Sequence, residues 1–321
     1  MSDDDWAPTP IGNFSDVRWL TFFISITTVF VFGAIGNVAT VLSIWRNKTL
    51  HTPTFMAIAC LTFSDLFAVV SRYISLLYSF YLKQPTISWI FSLIYTMSLV
   101  LYICSTLHIL LLSVMRYVLL VHPIRGLRLV TNRRIRYVSY FIWILSFTSC
   151  IPYFITMQSV YRNASADYLM ETIVSFILAV IPPVIIISLH CAKLRAIRSP
   201  TTAQLHPHQA RDMSYLVAFI LGFQVIATVP SLVHFCFLFV QTSDSSALGT
   251  HPRWLPDFKL FVAFSMLVNH AADPIFYFAL TPTARRICKK NWTQTKSIYR
   301  RCSKAASSFH HGNSATTSTF V

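Results

Sequence analysis

Apolar residues run through this chain in long, nearly unbroken blocks, unlike the alternating or one-faced patterns of a soluble fold. Seven blocks lie near 20–45, 54–81, 88–117, 137–158, 169–192, 214–241 and 258–280. Each reaches the roughly 20 residues a helix needs to cross about 30 Å of hydrocarbon. In lipid the backbone has to satisfy its own polar groups, which for single segments of this length means helix. The connections are short. The pattern therefore predicts an all-α membrane protein, one seven-transmembrane helix bundle over 20–280 with no separate soluble domain. No internal repeat is evident, which weighs against transporters built from duplicated halves.

Composition agrees with this reading and charge gives it a direction. The 321 residues are 55% hydrophobic and 12% charged, against about 25% charged in soluble proteins. Residues 1–19 are acidic (Asp3, Asp4, Asp5, Asp16) and lack a basic region before a short apolar core. The first block is thus expected to insert as its own anchor, behind an extracellular N-terminal tail. With the segment ends assigned alternately, 19 of the 26 Lys and Arg fall on one side, from Arg46 to the basic run Arg285–Lys304. The positive-inside rule then puts the N-terminus outside and the C-terminus inside. The net charge of +15 marks the face toward the inner-leaflet lipids and not a nucleic-acid surface. Sequons follow the same order: Asn13 and Asn163 fall outside, as glycosylation sites, and Asn47 and Asn291 fall inside. The seven cysteines sit in apolar spans or the inner tail with no metal spacing, and read as small buried hydrophobes.

Polar groups at membrane depth are expensive and mark function. Span one carries Gly36-Asn37, and span two carries a lone carboxylate in Leu61-Thr-Phe-Ser-Asp65. Span three ends Met115-Arg116-Tyr117, span four holds Trp143 and Pro152, span five Pro182-Pro183, and span six Pro230. Span seven ends Asn269-His-Ala-Ala-Asp273-Pro274-Ile-Phe-Tyr277. In this order and at these depths, the motifs resemble the rhodopsin-like (class A) G-protein-coupled receptors from about Gly33 to Cys288. The departures are specific. Met115 stands where the family usually has an acid before the arginine. Phe91 replaces the usual helix-3 cysteine, so the common outer disulfide is not expected. Gln224 and Thr228 replace the aromatic toggle of helix 6, and His190 and Cys191 stand where helix 5 usually has a tyrosine.

The resemblance implies three sites. Asp65, with Ser105, Asn269 and Asp273, would form the family's sodium pocket, since hard cations take oxygen ligands. The alternative is a hydrogen-bonded network with shared protons that only ties helices together. Met115, Arg116, Tyr117, Asp273, Pro274 and Tyr277 would form the switch that meets a heterotrimeric G protein. A snorkelling Arg116 is the plainer alternative. In the family, the acid before the arginine holds its guanidinium at rest; Met115 offers none, and only Asp212 is near in sequence. The ligand pocket would draw on Arg72, Tyr95, Ser98, Leu99, Tyr102, Thr228, Ser231, Phe235 and Lys259. Arg72 lies two helical turns from Asp65 on the same face and would suit an anionic ligand group, unless it pairs internally with Asp257 or Glu171. Ser98 in place of the amine-binding Asp argues against a biogenic amine, and Leu267 in place of the retinal lysine argues against a photoreceptor.

Thr281-Pro282 reads as an N-cap and first helical position, opening a short amphipathic eighth helix over 281–292 with Cys288 as its palmitoylation site. The Ser- and Thr-rich tail 293–321 is expected to be a disordered cytoplasmic segment. It offers phosphate acceptors for arrestin and a terminal Thr319-Phe320-Val321 for a PDZ protein. No catalytic constellation appears, so no enzyme is expected, and no cofactor beyond the allosteric sodium ion. The expected function is a receptor for an unknown extracellular ligand (peptide, lipid or chemosensory). The alternatives are a non-coupling receptor-like protein acting by dimerisation, or a seven-helix transporter or channel.

Overall fold

The computed structural model describes residues 17–81, 89–158, 164–197, 207–243 and 254–280. Among the described residues the regular structure is helical throughout: α1 (Val17–Arg46), α2 (Pro53–Tyr81), α3 (Trp89–Val121), α4 (Pro123–Leu129), α5 (Asn132–Gln158), α6 (Ala164–Ile197), α7 (Pro207–Ser243) and α8 (Leu255–Leu280). A single 3-10 turn, Lys48–Leu50, joins α1 to α2. The tails and the segment 281–292 lie outside the described residues. Residues from Phe276 onward form a second compact unit, of which helical backbone is described as far as Leu280.

The seven long helices correspond in order to the seven apolar blocks, and each runs past its block at one or both ends. Helix α5 starts at Asn132 because polar residues there continue the helix instead of breaking it. The Arg134 N–H donates to Thr131 Oγ1 at 3.4 Å, and its guanidinium to the carbonyls of Arg128 and Leu129 at 2.9 and 3.3 Å. Asn132 Nδ2 also reaches the His51 carbonyl at 2.9 Å, tying the α1–α2 turn to the start of α5. Helix α4 was not anticipated. Pro123 opens it at a position where a missing N–H is harmless. Gly126 lets it lie on α3, since a Cβ there would meet Leu119 Cα and the Val118 carbonyl at 3.0 Å.

Six of the long helices combine the length and apolar composition of a membrane span. Helix α8, with 26 residues, is about 39 Å long at 1.5 Å per residue and can also cross. Its polar residues Asn269, His270 and Asp273 are buried in the bundle. The fold is inside-out relative to a soluble one: Phe32, Ile35, Tyr140, Phe141, Ile144 and Val184 are exposed while Asn37, Asp65, Ser105, His108 and Gln224 are buried. Hydroxyls that lipid would leave unsatisfied bond back to the preceding turn, as Thr40 does to Gly36 at 2.8 Å and Ser146 to Ile142 at 2.8 Å. Helix α3 is the axis. It packs on α2, α5 and α6 and is buried without a break from Val100 to Thr106.

Candidate functional site

The centre of the bundle is organised by a missing hydrogen bond. Pro274 has no N–H, so the carbonyl four residues back, that of His270, loses its helical partner. Asn37 of α1 supplies one: its Nδ2 donates to His270 O at 3.2 Å and to Gly33 O at 2.9 Å. This reach requires α1 to lie very close to α8. A Cβ on Gly33 would stand 2.6 Å from Ala271 Cβ, and one on Gly36 3.1 Å from Pro274 Cβ. Small residues permit such approaches between membrane helices.

His270 is thereby aimed inward. Its Nδ1–H donates to Asp65 Oδ1 at 3.0 Å, and Ser105 Oγ donates to the same oxygen at 2.5 Å. With Asp65 ionised, the tautomer carrying its proton on Nδ1 makes this bond. Asp65 is wholly buried, and Asp273 lies within electrostatic reach of both Asp65 and His270. Tyr102 meets the imidazole edge-on with ring centroids 5.7 Å apart. From there the network crosses to α7. Tyr102 OH and Thr228 Oγ1 are 2.5 Å apart, Gln224 Nε2 donates to Thr106 Oγ1 at 2.9 Å, and Asn269 Nδ2 donates to Gln224 Oε1 at 3.2 Å. Where the resemblance would place aromatic rings in α7, this chain has a hydrogen-bonded ladder joining α3, α7 and α8.

The structure brings together part of the expected sodium set. Asp65 and Ser105 meet directly and Asp273 stands nearby, but Asn269 turns to Gln224 and an imidazole N–H takes Asp65 Oδ1. Asp65 Oδ2 and Asn37 Oδ1 remain buried oxygens without a hydrogen-bond partner. His270 was quoted in the sequence motif without a role. The signal that could have found it is its place four residues before Pro274, a polar side chain on the turn that the proline opens.

Of the ligand-pocket residues, several converge on this centre. Arg72 Nη2 lies 2.9 Å from Met266 Sδ and acts electrostatically on Tyr102 and His270. Ser98 Oγ is 2.8 Å from Ser71 Oγ. Tyr102 and Thr228 bond each other as above. Tyr95 is half-buried against Tyr153, with centroids 6.1 Å apart, and Leu99 packs against the apolar core around Tyr102. Ser231 donates to its own turn at Ala227, 2.9 Å away. Phe235 is half-buried beside His234, and Lys259 is exposed. Among the described residues no acid stands within ion-pair range of Arg72. Asp257 is exposed at the start of α8, and the Glu171 side chain lies outside the described residues.

At the other end of α3, Met115 and Arg116 are buried at 3% and 7% exposure. Tyr117 is half-buried, its ring edge-on to His122. Arg116 makes interactions within the chain, and the buried Lys193 of α6 is within its electrostatic reach. Pro274 is buried. The side chain of Tyr277, and Asn13, Asn163 and Cys288 altogether, lie outside the described residues. A further polar link went unread in the sequence: His108 joins α3 to α5 through Ser139 Oγ, 2.8 Å from its Nε2.

Cys60, Cys104, Cys150, Cys191 and Cys236 are free thiols. With Phe91 at the usual cysteine position, strong reducing agent should leave the melting temperature of the purified chain unchanged. A sharp, reversible drop in dithiothreitol would contradict this.

Among the described residues, seven membrane-length helices around a buried polar centre, with a buried arginine closing the middle helix, define a multi-pass membrane protein built as a receptor. The chain belongs to the rhodopsin family of 7 transmembrane receptors, whose family model matches residues 36–277. It is similar to neuromedin-U receptor 1 of Homo sapiens, 32% identical over 126 residues, covering 39% of this chain and 30% of the relative. It is also similar to the motilin receptor of Homo sapiens, 31% identical over 154 residues, 46% of this chain and 35% of the relative. The rat neuromedin-U receptor 1 is 28% identical over 137 residues, 42% and 32%. The matched stretches span about a third of each relative's length.

Proposed function

We propose that this chain is a plasma-membrane receptor with its N-terminus outside. On this reading it binds an extracellular ligand through an anionic group at Arg72 and activates a heterotrimeric G protein at the Arg116 end of α3. The observation that carries the ligand class is the state of Arg72. It is a half-buried guanidinium whose hydrogen-bonding contact among the described residues is a thioether, a weak acceptor for a charged fork. A carboxylate or phosphate on the ligand would satisfy it. Relatives named for neuromedin-U and motilin support a receptor for an extracellular messenger. Arrestin and PDZ proteins are further partners, through the tail 293–321. The coupling half of the reading is tested by guanine-nucleotide exchange in membranes carrying the full chain and purified G proteins. Exchange above that of control membranes is expected, and silence with every G-protein class would favour a non-coupling, dimerising protein.

The orientation has its own test. Sugar is expected on Asn13 and Asn163 and none on Asn47, whose Nδ2 already donates to Ser43 O at 2.7 Å beside the α1–α2 turn, nor on Asn291. Glycosidase treatment with peptide mapping reads this out. Glycan at Asn47 or Asn291 would reverse the topology.

A further inference from the structure

Sodium is a hard cation held by several oxygens at once, and the resemblance assigns one to Asp65. The side chains around Asp65 have other occupations. Oδ1 accepts from Ser105 at 2.5 Å and from His270 at 3.0 Å, which uses both of its lone pairs. The ring N–H pointing at the carboxylate stands where a coordinating oxygen would be needed. Asn269 Nδ2 donates to Gln224 and Asn37 Nδ2 to the carbonyls of Gly33 and His270, while Asn37 Oδ1 is buried without a hydrogen-bond partner.

We infer that His270 is a built-in substitute for the ion: the imidazole of α8 holds Asp65 of α2 directly, and this chain does not depend on sodium. Backbone and ring of His270 are each engaged. Asn37 holds the backbone carbonyl that Pro274 frees, and Tyr102 packs edge-on against the imidazole at 5.7 Å. Asp65 Oδ2 makes no ordinary hydrogen bond, which is the best argument for a cation, because Asp273 stands within electrostatic reach. Two carboxyls and one imidazole can, however, reach charge balance by the placement of protons among themselves. A cation acting on the cluster is Arg72, also from α2.

The test is the melting temperature of the purified full chain in sodium, potassium or choline chloride at equal ionic strength, which needs no ligand. The native chain should melt at the same temperature in all three; a saturable, sodium-specific rise overturns the inference. His270→Ser and His270→Ala clear the ring, so either one that folds should gain a sodium-specific rise on the order of 2–4 °C once the ion exceeds its Kd several-fold. Adding Asp65→Asn to the responsive variant should abolish the gain. Folded variants that stay indifferent to sodium, or a gain that survives loss of the Asp65 carboxylate, would show that His270 does not stand in for the ion.

Discussion

Arg116→Ala is expected to abolish guanine-nucleotide exchange while surface expression persists. The same assay should show ligand-free exchange in the native chain. Arg116 and Lys193 are both buried near the same end of the bundle and within electrostatic reach of each other. Like charges in a low-dielectric interior raise the energy of an arrangement that keeps both inside. Met115, itself buried, supplies no carboxylate against that repulsion. Met115→Asp or Met115→Glu would place one beside the guanidinium. A hydrogen bond to a charged group contributes about 1.5–3 kcal/mol, so such a variant should lower basal exchange roughly ten- to a hundred-fold. Exchange that continues without Arg116, or a Met115→Asp chain that signals more than the native one, would sink this account of the switch.

Arg72→Ala should remove about 2–4 kcal/mol of ligand binding, the range for truncating one partner of a desolvated charge pair and roughly a thirty- to seven-hundred-fold rise in Kd. Arg72→Lys should recover only part of it, because an ammonium cannot reproduce the two-pronged guanidinium geometry. The readout is agonist potency, measured once a ligand screen has found an agonist. The side chain also neighbours Met266 and acts on Tyr102, so a purely structural role would shift melting temperature more than potency. Unchanged potency in Arg72→Ala, with normal expression, would return this residue to packing.

The seven spans and their order could be read from the sequence because lipid demands long apolar runs and nothing else in the chain imitates them. The ends could not. Asn132 and Arg134 look like a loop, yet they lie in α5, Asn132 bonding to His51 and Arg134 to the Arg128 carbonyl of α4. The pairing of Asp65 with Ser105 follows from the family resemblance, and the two meet at 2.5 Å. The part taken by His270 was hidden, because a histidine between Asn269 and Ala271 shows no sign of which way it faces until Asn37 and Pro274 have fixed the helix. Gln224 and Thr228 were seen as absences of aromatic rings. Their positive role needed partners on α3 and α8, which sequence spacing within α7 cannot supply.

The near-contact of Gly33 with Ala271 has a mechanical consequence. With 2.6 Å between a notional Cβ and its neighbour, α1 and α8 have no slack at that level, and Asn37 pins the turn that Pro274 has weakened. The stretch of α8 ahead of the proline is clamped like the short arm of a lever, and Gly33 and Gly36 serve as its fulcrum. A lengthwise slide of α8 past α1 would break the Asn37 contact and drive Ala271 against Gly33. A tilt about this point leaves both contacts in place.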